Sequence, residues 1–406
     1  MSLLSPSNKL QSLQHQKAGI LTVLLLMALL AAGCSQETTE APANPPGNYD
    51  TPLRIGYYEG GPYFDYAESF RATINGLAAL GWMEPLEIPA FENPEDMASI
   101  WHFVAENSRS DYLEFVENAF WSADWEDGKR EIIRQDALQR LAEQQDIDLV
   151  LAMGTWAGQD LVNNLHHTAT LNLTSSNPVQ AGIISSPESS GYEHVLVEVD
   201  PNRYLRNIRL YHEVVGFQKL GVVYEDSPDG RIYANYEELL QASAGFGFEI
   251  IECHAEDTNL SEDEAYQNVQ RCYHELAPQI DALWIGAHRG ENYAYLPQSI
   301  KPIMAYDIPT WSNQGSEAVK RGVLMSIWQA DFAYAGGWYA EIIGQILNGA
   351  LPGDLNQTLE LPQHIVLNLE TARRIGFEFP PGILEIADHV YETIEGEYEI
   401  QESTAN

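Results

Sequence analysis

Positive charge is scarce in this chain: 21 lysines and arginines stand against 59 aspartates and glutamates, a formal net charge of -38. A nucleic-acid phosphate backbone rewards clustered Lys and Arg, so this balance argues against a nucleic-acid partner. The acidic excess reads as a solvated surface that keeps the protein soluble. Catalytic signatures are also missing. There is no Gly-x-Ser-x-Gly elbow and no His-Glu-x-x-His helix. The glycines after the first apolar stretch lack the Lys-Ser or Lys-Thr pair of a phosphate-binding loop. Cysteine is limited to three residues, Cys34, Cys253 and Cys272. Neither His254 nor His274 sits at a spacing from the last two that suits a zinc site, so no metal or other cofactor is called for.

What is present begins at the N-terminus. Lys9 and Lys17 precede the run "GILTVLLLMALLAAGC", and no acid occurs from Met1 to Gly33. A charged start and a short apolar centre have the form of a secretory signal, residues 1-33. The run falls short of the ~20 apolar residues that span a bilayer. It ends in Ala31-Ala32-Gly33-Cys34, which resembles a bacterial lipobox and implies lipidation at Cys34. Residues 34-52 are rich in Pro, Thr, Asn and Glu and read as a flexible tether. The expected location is the cell envelope, on the periplasm-facing membrane. Ser35 after the cysteine resembles the outer-membrane sorting preference. In an oxidising compartment Cys253 and Cys272 can pair or stay as free thiols, and their spacing does not decide which.

At 406 residues the chain has room for two domains at about 100 to 200 residues each. Beyond the tether, short continuous apolar runs alternate with longer amphipathic ones. "LRIGYY", "YLEFVENAF" and "DLVLAMG" read as strands, with helices between and after them. After a Pro, Ser and Gly cluster near "ISSPESSGY" the rhythm restarts with "KLGVVYE", "FEIIECHA" and "IDALWIGA". Strands of this kind argue for parallel sheets covered by helices, hence an α/β fold of two Rossmann-like lobes. The segment 85-111 fits the rhythm poorly and is expected to be a helix-containing excursion at the rim, with Trp101 and Phe103 either covering the lobe's edge or forming a lid.

In open parallel sheets, ligands gather outside the carboxyl ends of the strands. The stretches there nominate the site residues. Glu59 and Tyr63 flank the Gly60-Gly61-Pro62 turn. Thr155 and Trp156 open a helix after "DLVLAMG", where free amides and the helix dipole favour an acceptor group; Thr155 serves there as an N-cap, a ligand contact or both. Ser175, Ser176 and Asn177 cluster before Pro178. The second half contributes Tyr224, Arg231, His288, Trp311 and Asn313, with Arg231 or Arg289 suited to pairing with a carboxylate.

The blocks "DIDLVLAMGTWAGQDLV", "SNPVQAGII", "KLGVVYEDS", "IPTWSNQGSEAVKRGVLMSI", "DFAYAGGWYAEIIGQILNGALPGDL" and "HIVLNLETARRIGFEFP" resemble, in order and spacing, ABC-transporter substrate-binding lipoproteins of the type I periplasmic-binding fold. The subgroup in question includes tryptophan and tyrosine binders. The resemblance implies two lobes joined by three crossovers: 53-185 plus 326-351 as the N-terminal lobe, and 186-325 plus 352-400 as the C-terminal lobe. It implies that Thr155, Ser176, Asn177, Tyr224 and Asn313 face the cleft. Asp331 also matches a family position and is expected to cap the helix after it. The implied function is capture of a small polar solute, an amino acid or other small carboxylate first, for delivery to an ABC permease. Two alternatives stay open: a receptor of the same fold that signals through a membrane protein, and a lipid-anchored hydrolase using paired acids.

Overall fold

The computed structural model describes residues 51–329, 332–360 and 363–395. The signal segment 1-33, Cys34, most of the tether and Asp331 lie outside these residues.

Two sheets organise the chain, and both belong to the compact unit Asn44–Asn406. The first has five strands in the order β2-β1-β3-β4-β5: β1 (Leu53–Glu59), β2 (Leu113–Ser122), β3 (Leu149–Met153), β4 (Ala169–Leu173) and β5 (Val195–Val197). Every pairing in it is parallel. All five residues of β3 are buried, because a parallel strand with helices on both faces has no solvent side. The second sheet runs β12-β11-β10-β9-β8-β6-β7. It comprises β6 (Lys219–Tyr224), β7 (Glu249–His254), β8 (Ala282–Ile285), β9 (Thr310–Ser312), β10 (Met325–Gln329), β11 (Gln363–Asn368) and β12 (His389–Tyr391). Its one antiparallel pairing joins β10 to β11, where the chain has left the lobe and come back.

Sheet membership moves the expected lobe boundaries. β5 pairs with β4, so the first lobe runs on past 185 to about Val197. Ser326 lies in β10, inside the second sheet, and the return to the first lobe comes with the helix Phe332–Leu347. That helix buries Ala335, Tyr339, Ala340 and Ile343 in the first lobe's core. Leu355 and Leu359 still pack on that core, which puts the last crossing after residue 359 instead of near Leu351. The chain therefore passes between lobes three times: after β5, after β10 and before β11. The first and third crossings are tied together. Val199 donates its N–H to Gln357 O at 3.0 Å, and Leu359 donates to Val199 O at 2.9 Å.

The excursion at 85-111 is part of the first lobe's structure. Its helix, Met97–Asn107, buries Met97, Ile100, Trp101 and Val104. Trp101 is 1% exposed and its ring lies 5.6 Å from those of Tyr57 and Phe70, so it is a core side chain and not a lid. Cys253 and Cys272 are joined as a disulfide with Cα atoms 5.5 Å apart. It links β7 to the helix Glu262–Leu276, whose start is fixed by a capping box between Ser261 and Glu264.

Candidate functional site

Both sheets direct their carboxyl ends to one cavity of about 140 Å³, lined by residues from both lobes and from the crossings. The first lobe's part is built around two backbone accommodations. Gly154 has φ +81°, and the hydroxyl of Tyr66 occupies the space a Cβ would need, 1.7 Å from its ideal position. The Gly-Thr step that ends β3 is therefore small because a tyrosine closes over it. At the end of β1, a Cβ on Gly61 would lie 2.6 Å from the Trp125 ring. The missing side chain lets that indole pack against the turn and donate Nε1–H to Pro62 O at 2.9 Å.

From these junctions the side chains follow. The helix Gly154–Leu161 is capped by the backbone of Met153 without a side-chain bond, so Thr155 is not the N-cap. Its Oγ1 instead accepts from Ser176 N at 3.4 Å. Ser175 donates its hydroxyl to Asn172 Oδ1 at 2.9 Å, and Asn172 Nδ2 in turn holds the carbonyls of Ala152 and Gly154 at 2.9 and 3.0 Å. The rings of Trp125 and Trp156 meet edge to face at 5.4 Å. Arg130 stacks on Trp156 at 4.4 Å while paired with the buried Asp160 at 3.0 Å, which fixes the indole from behind.

The second lobe supplies mostly acceptors. Glu225 follows β6 and accepts from Thr258 Oγ1 at 2.7 Å. Asp257 follows β7 and accepts from Arg289 N at 3.0 Å. His288, after β8, is fixed through Nδ1 by Gly290 N at 3.1 Å and contacts Ala255 O through Nε2 at 3.2 Å. Asn313 donates to Asn235 Oδ1, and Gln314 Nε2 donates to Glu291 O at 3.1 Å. At the crossings, Glu198 accepts from Thr174 N at 2.8 Å and Tyr339 Oη at 2.6 Å. Burial raises the Glu198 carboxyl against those bonds, and burial lifts Asp65 to about 6 with Arg203 opposing.

The lobes touch at the cavity rim. Trp156 Nε1 and Gln159 Nε2 donate to the two oxygens of Asp229 at 2.8 and 3.1 Å. Asn177 Nδ2 and Gln180 Nε2 both donate to Glu238 Oε1, at 2.6 and 2.8 Å. Asp127 and Asn259 exchange two bonds of 3.1 Å.

Of the residues nominated from sequence, Tyr63, Thr155, Trp156, Ser175, Ser176, His288 and Asn313 line the cavity. The other five lie elsewhere. Glu59 is 1% exposed and takes bonds from Tyr57 Oη at 2.8 Å and Ser122 Oγ at 2.9 Å. Asn177 belongs to the rim. Tyr224 is buried at the end of β6 and gives its hydroxyl to Glu252. Arg231 pairs with Glu237 at 2.6 Å and covers the Tyr236 ring. Trp311 is wholly buried and stacked on Trp284 at 5.7 Å, so its ring serves the core. Arg289 does line the cavity, but its guanidinium is bound to the carbonyls of Asp257 and Leu260 at 3.1 and 2.9 Å.

Sequence reasoning missed Asp65, Tyr66, Tyr233, Asp257 and Tyr339 in the lining. Asp257 follows "FEIIECHA", and the strand-end rule applied once more finds it. Tyr66 and Tyr339 sit within helices whose apolar spacing reads as core, and they carry no separate signal. Among the described residues no group of three or more His, Cys, Asp or Glu is arranged to hold a metal, and no helix is long and apolar enough to cross a membrane.

The profile of the family described as ABC transporter substrate binding protein matches residues 99–391. A search of curated proteins finds no match. Among solved structures, a conserved domain protein from Vibrio cholerae is similar at 19% identity with a TM-score of 0.62, covering 83% of this chain and 99% of its own. An ABC domain in complex with L-Trp from Streptococcus pneumoniae is similar at 16% identity and the same TM-score of 0.62, covering 84% of this chain and 100% of its own. A ligand-free, open substrate-binding protein with adhesive properties from Clostridium difficile follows at 18% identity and TM-score 0.53, covering 84% of this chain and 100% of its own. At these identities the likeness is one of fold.

Proposed function

Because the chain belongs to the ABC transporter substrate-binding protein family and has the type I periplasmic-binding fold, we propose that it captures a small polar solute between its lobes for an ABC importer. The protein is held to the envelope membrane through a lipid on Cys34. The observation that carries the reading is the cavity itself, to which strand ends of both sheets contribute. A solute touching both lobes at once stabilises the closed arrangement relative to the open one, and the permease then reads closure.

An amino acid is the favoured solute. Its ammonium suits the carboxylates in the wall, its carboxylate suits Thr155, Ser176 and the helix start beside them, and its side chain suits the aromatic rings. The mixture of carboxylates, hydroxyls and aromatic rings in the lining suits holding a solute by its polar ends and its body. A thermal-shift screen against amino acids, sugars, nucleosides and small acids tests the reading, since a solute that binds only the folded state raises apparent stability. Solution scattering with the hit should show compaction. A hit that binds without compaction removes the closing mechanism, and a screen without any hit removes the function.

A further inference from the structure

The second lobe's wall of the cavity leaves a one-sided set of polar atoms without partners. Tyr233 Oη, Asp257 Oδ1 and Gln314 Oε1 are buried and accept or donate no hydrogen bond, and all three residues line the cavity. A carboxylate or amide oxygen only accepts, and a phenol oxygen accepts as well as donates. The Gln314 amide is oriented by its Nε2–H bond to Glu291 O, so the oxygen is the atom left open. Asp257 has one oxygen engaged by Arg289 N at 3.0 Å. Its other oxygen lies 3.9 Å from Arg289 Nη1, beyond hydrogen-bond reach, and that guanidinium is already spent on two carbonyls.

The surrounding charge points the same way. The carboxylates of Asp65, Glu198, Glu225 and Asp257 line the cavity with only the guanidiniums of Arg203 and Arg289 beside them. Buried acceptors without donors cost free energy that a donor-rich solute recovers. A primary ammonium carries three donors and no acceptor, one for each open atom. The first lobe adds the aromatic residues Tyr63, Trp125 and Trp156 to the lining, which suit an apolar body on such a molecule. The volume, about 140 Å³, is close to the ~150 Å³ that admits a benzene ring in an engineered cavity.

We propose that the solute is a primary amine whose ammonium seats on Asp257, Tyr233 and Gln314, with a planar body against the aromatic wall, and that a carboxylate is dispensable. This rests on the solute-binding reading above and narrows it.

A matched set separates the two. Calorimetric titration of the purified full chain with 2-phenylethylamine, L-phenylalanine and 3-phenylpropanoate presents the same ring with amine alone, with both groups and with carboxylate alone. Both amines should bind within about tenfold of each other, and 3-phenylpropanoate at least about 100-fold more weakly, since a site built to pair polar groups rejects a partner that leaves them open. Asp257→Asn, which keeps the shape, should weaken both amines by at least about tenfold. Should it alter the melting temperature of the empty protein, Tyr233→Phe, expected to cost about threefold, decides in its place. Equal binding of 3-phenylpropanoate, or unchanged amine affinity in a natively melting variant, overturns the proposal. If all three fail while an amine-free solute from the wider screen binds, this inference falls and the receptor function stands. If nothing binds at all, both fall.

Discussion

Where the lobes touch, the first presents N–H donors and the second carboxylates. Trp156 and Gln159 converge on Asp229, and Asn177 with Gln180 on Glu238. In each case the two donors stand three residues apart, which puts them on one side of a turn where a single carboxylate can meet both. Asn259 reverses the roles, donating Nδ2 to Asp127 and its backbone N–H to Trp125 O. The same asymmetry continues inside, where the first lobe's hydroxyls and amides bond among themselves and the open acceptors belong to the second. Closing thus replaces water with fixed N–H groups on both oxygens of Asp229 but only on Oε1 of Glu238, whose Oε2 is buried without a partner.

The lobes also differ in what secures them. Both contain glycines where no side chain fits, and the second has a disulfide as well. The largest effect is expected from Gly154→Val. A β-branched residue would be forced into the left-handed region and onto the Tyr66 hydroxyl, a cost of about 3 kcal/mol or more. Chemical denaturation should show this loss, and a valine tolerated without it would mean that the β3 junction is looser than its geometry. Next comes reduction of the disulfide Cys253–Cys272, which spans a sequence separation of 19. Loop-closure entropy puts its removal at about 3 kcal/mol. Hydrogen exchange should place the lost protection on the helix Glu262–Leu276 and spare the helix Gly154–Leu161. Equal loss in both would break the distinction between the lobes.

These two cases also show how far the residues could be read in advance. The alternation of apolar runs and amphipathic stretches marked both sheets because parallel strands are apolar along their whole length, and the strand-end rule found Thr155, Ser176 and His288 in the cavity wall. Trp311 obeys the same rule and still lies in the core, since its ring turns back onto Trp284; side-chain direction at the end of a strand is set by tertiary packing. The lobe boundaries were off by a strand because β5 and β10 follow the same apolar pattern in either sheet. Asn177 and Trp156 look equivalent as polar-edged strand-end residues. Their roles on the rim depend on Glu238 and Asp229, which are distant in sequence. The aromatic lining from Tyr66 and Tyr339 hides inside helices whose period announces only burial.

The rim contacts yield a smaller effect than either structural change. Glu238 is 8% exposed and accepts two side-chain bonds, so Glu238→Ala removes the common partner of Asn177 and Gln180 and should favour the open state by about 1 to 2 kcal/mol. That corresponds to a loss of about tenfold in affinity for the solute found by the screen, because binding then has to drive closure. Asp229→Ala should act similarly and also release the Trp156 ring. Solution scattering of the empty protein distinguishes them from a damaged site: both variants should be more open than the parent, whereas a change in affinity without a change in shape would assign Glu238 to the solute and not to the rim.

A pH-dependent effect compares two buried acids, one in each lobe. Glu59 and Glu291 each accept from a tyrosine, Tyr57 and Tyr273, and burial raises each to about 8. A raised acid keeps its proton in the folded state at a pH where the unfolded chain has released it. The folded state then binds more protons between the ordinary carboxyl range and pH 8, and stability falls as pH rises through that window. The contribution is complete below about pH 4.5 and gone above about pH 8. Glu59→Gln and Glu291→Gln should each flatten the decline in unfolding free energy measured by urea titration at pH 5, 6.5 and 8. Glu59 has Ser122 as a second donor, which favours its charged form, while Oε2 of Glu291 has no partner. Both carboxyls nevertheless reach about 8, so the two variants should change the slope to a similar extent, and a clearly smaller change at Glu59 would show that the serine offsets more of the burial cost there.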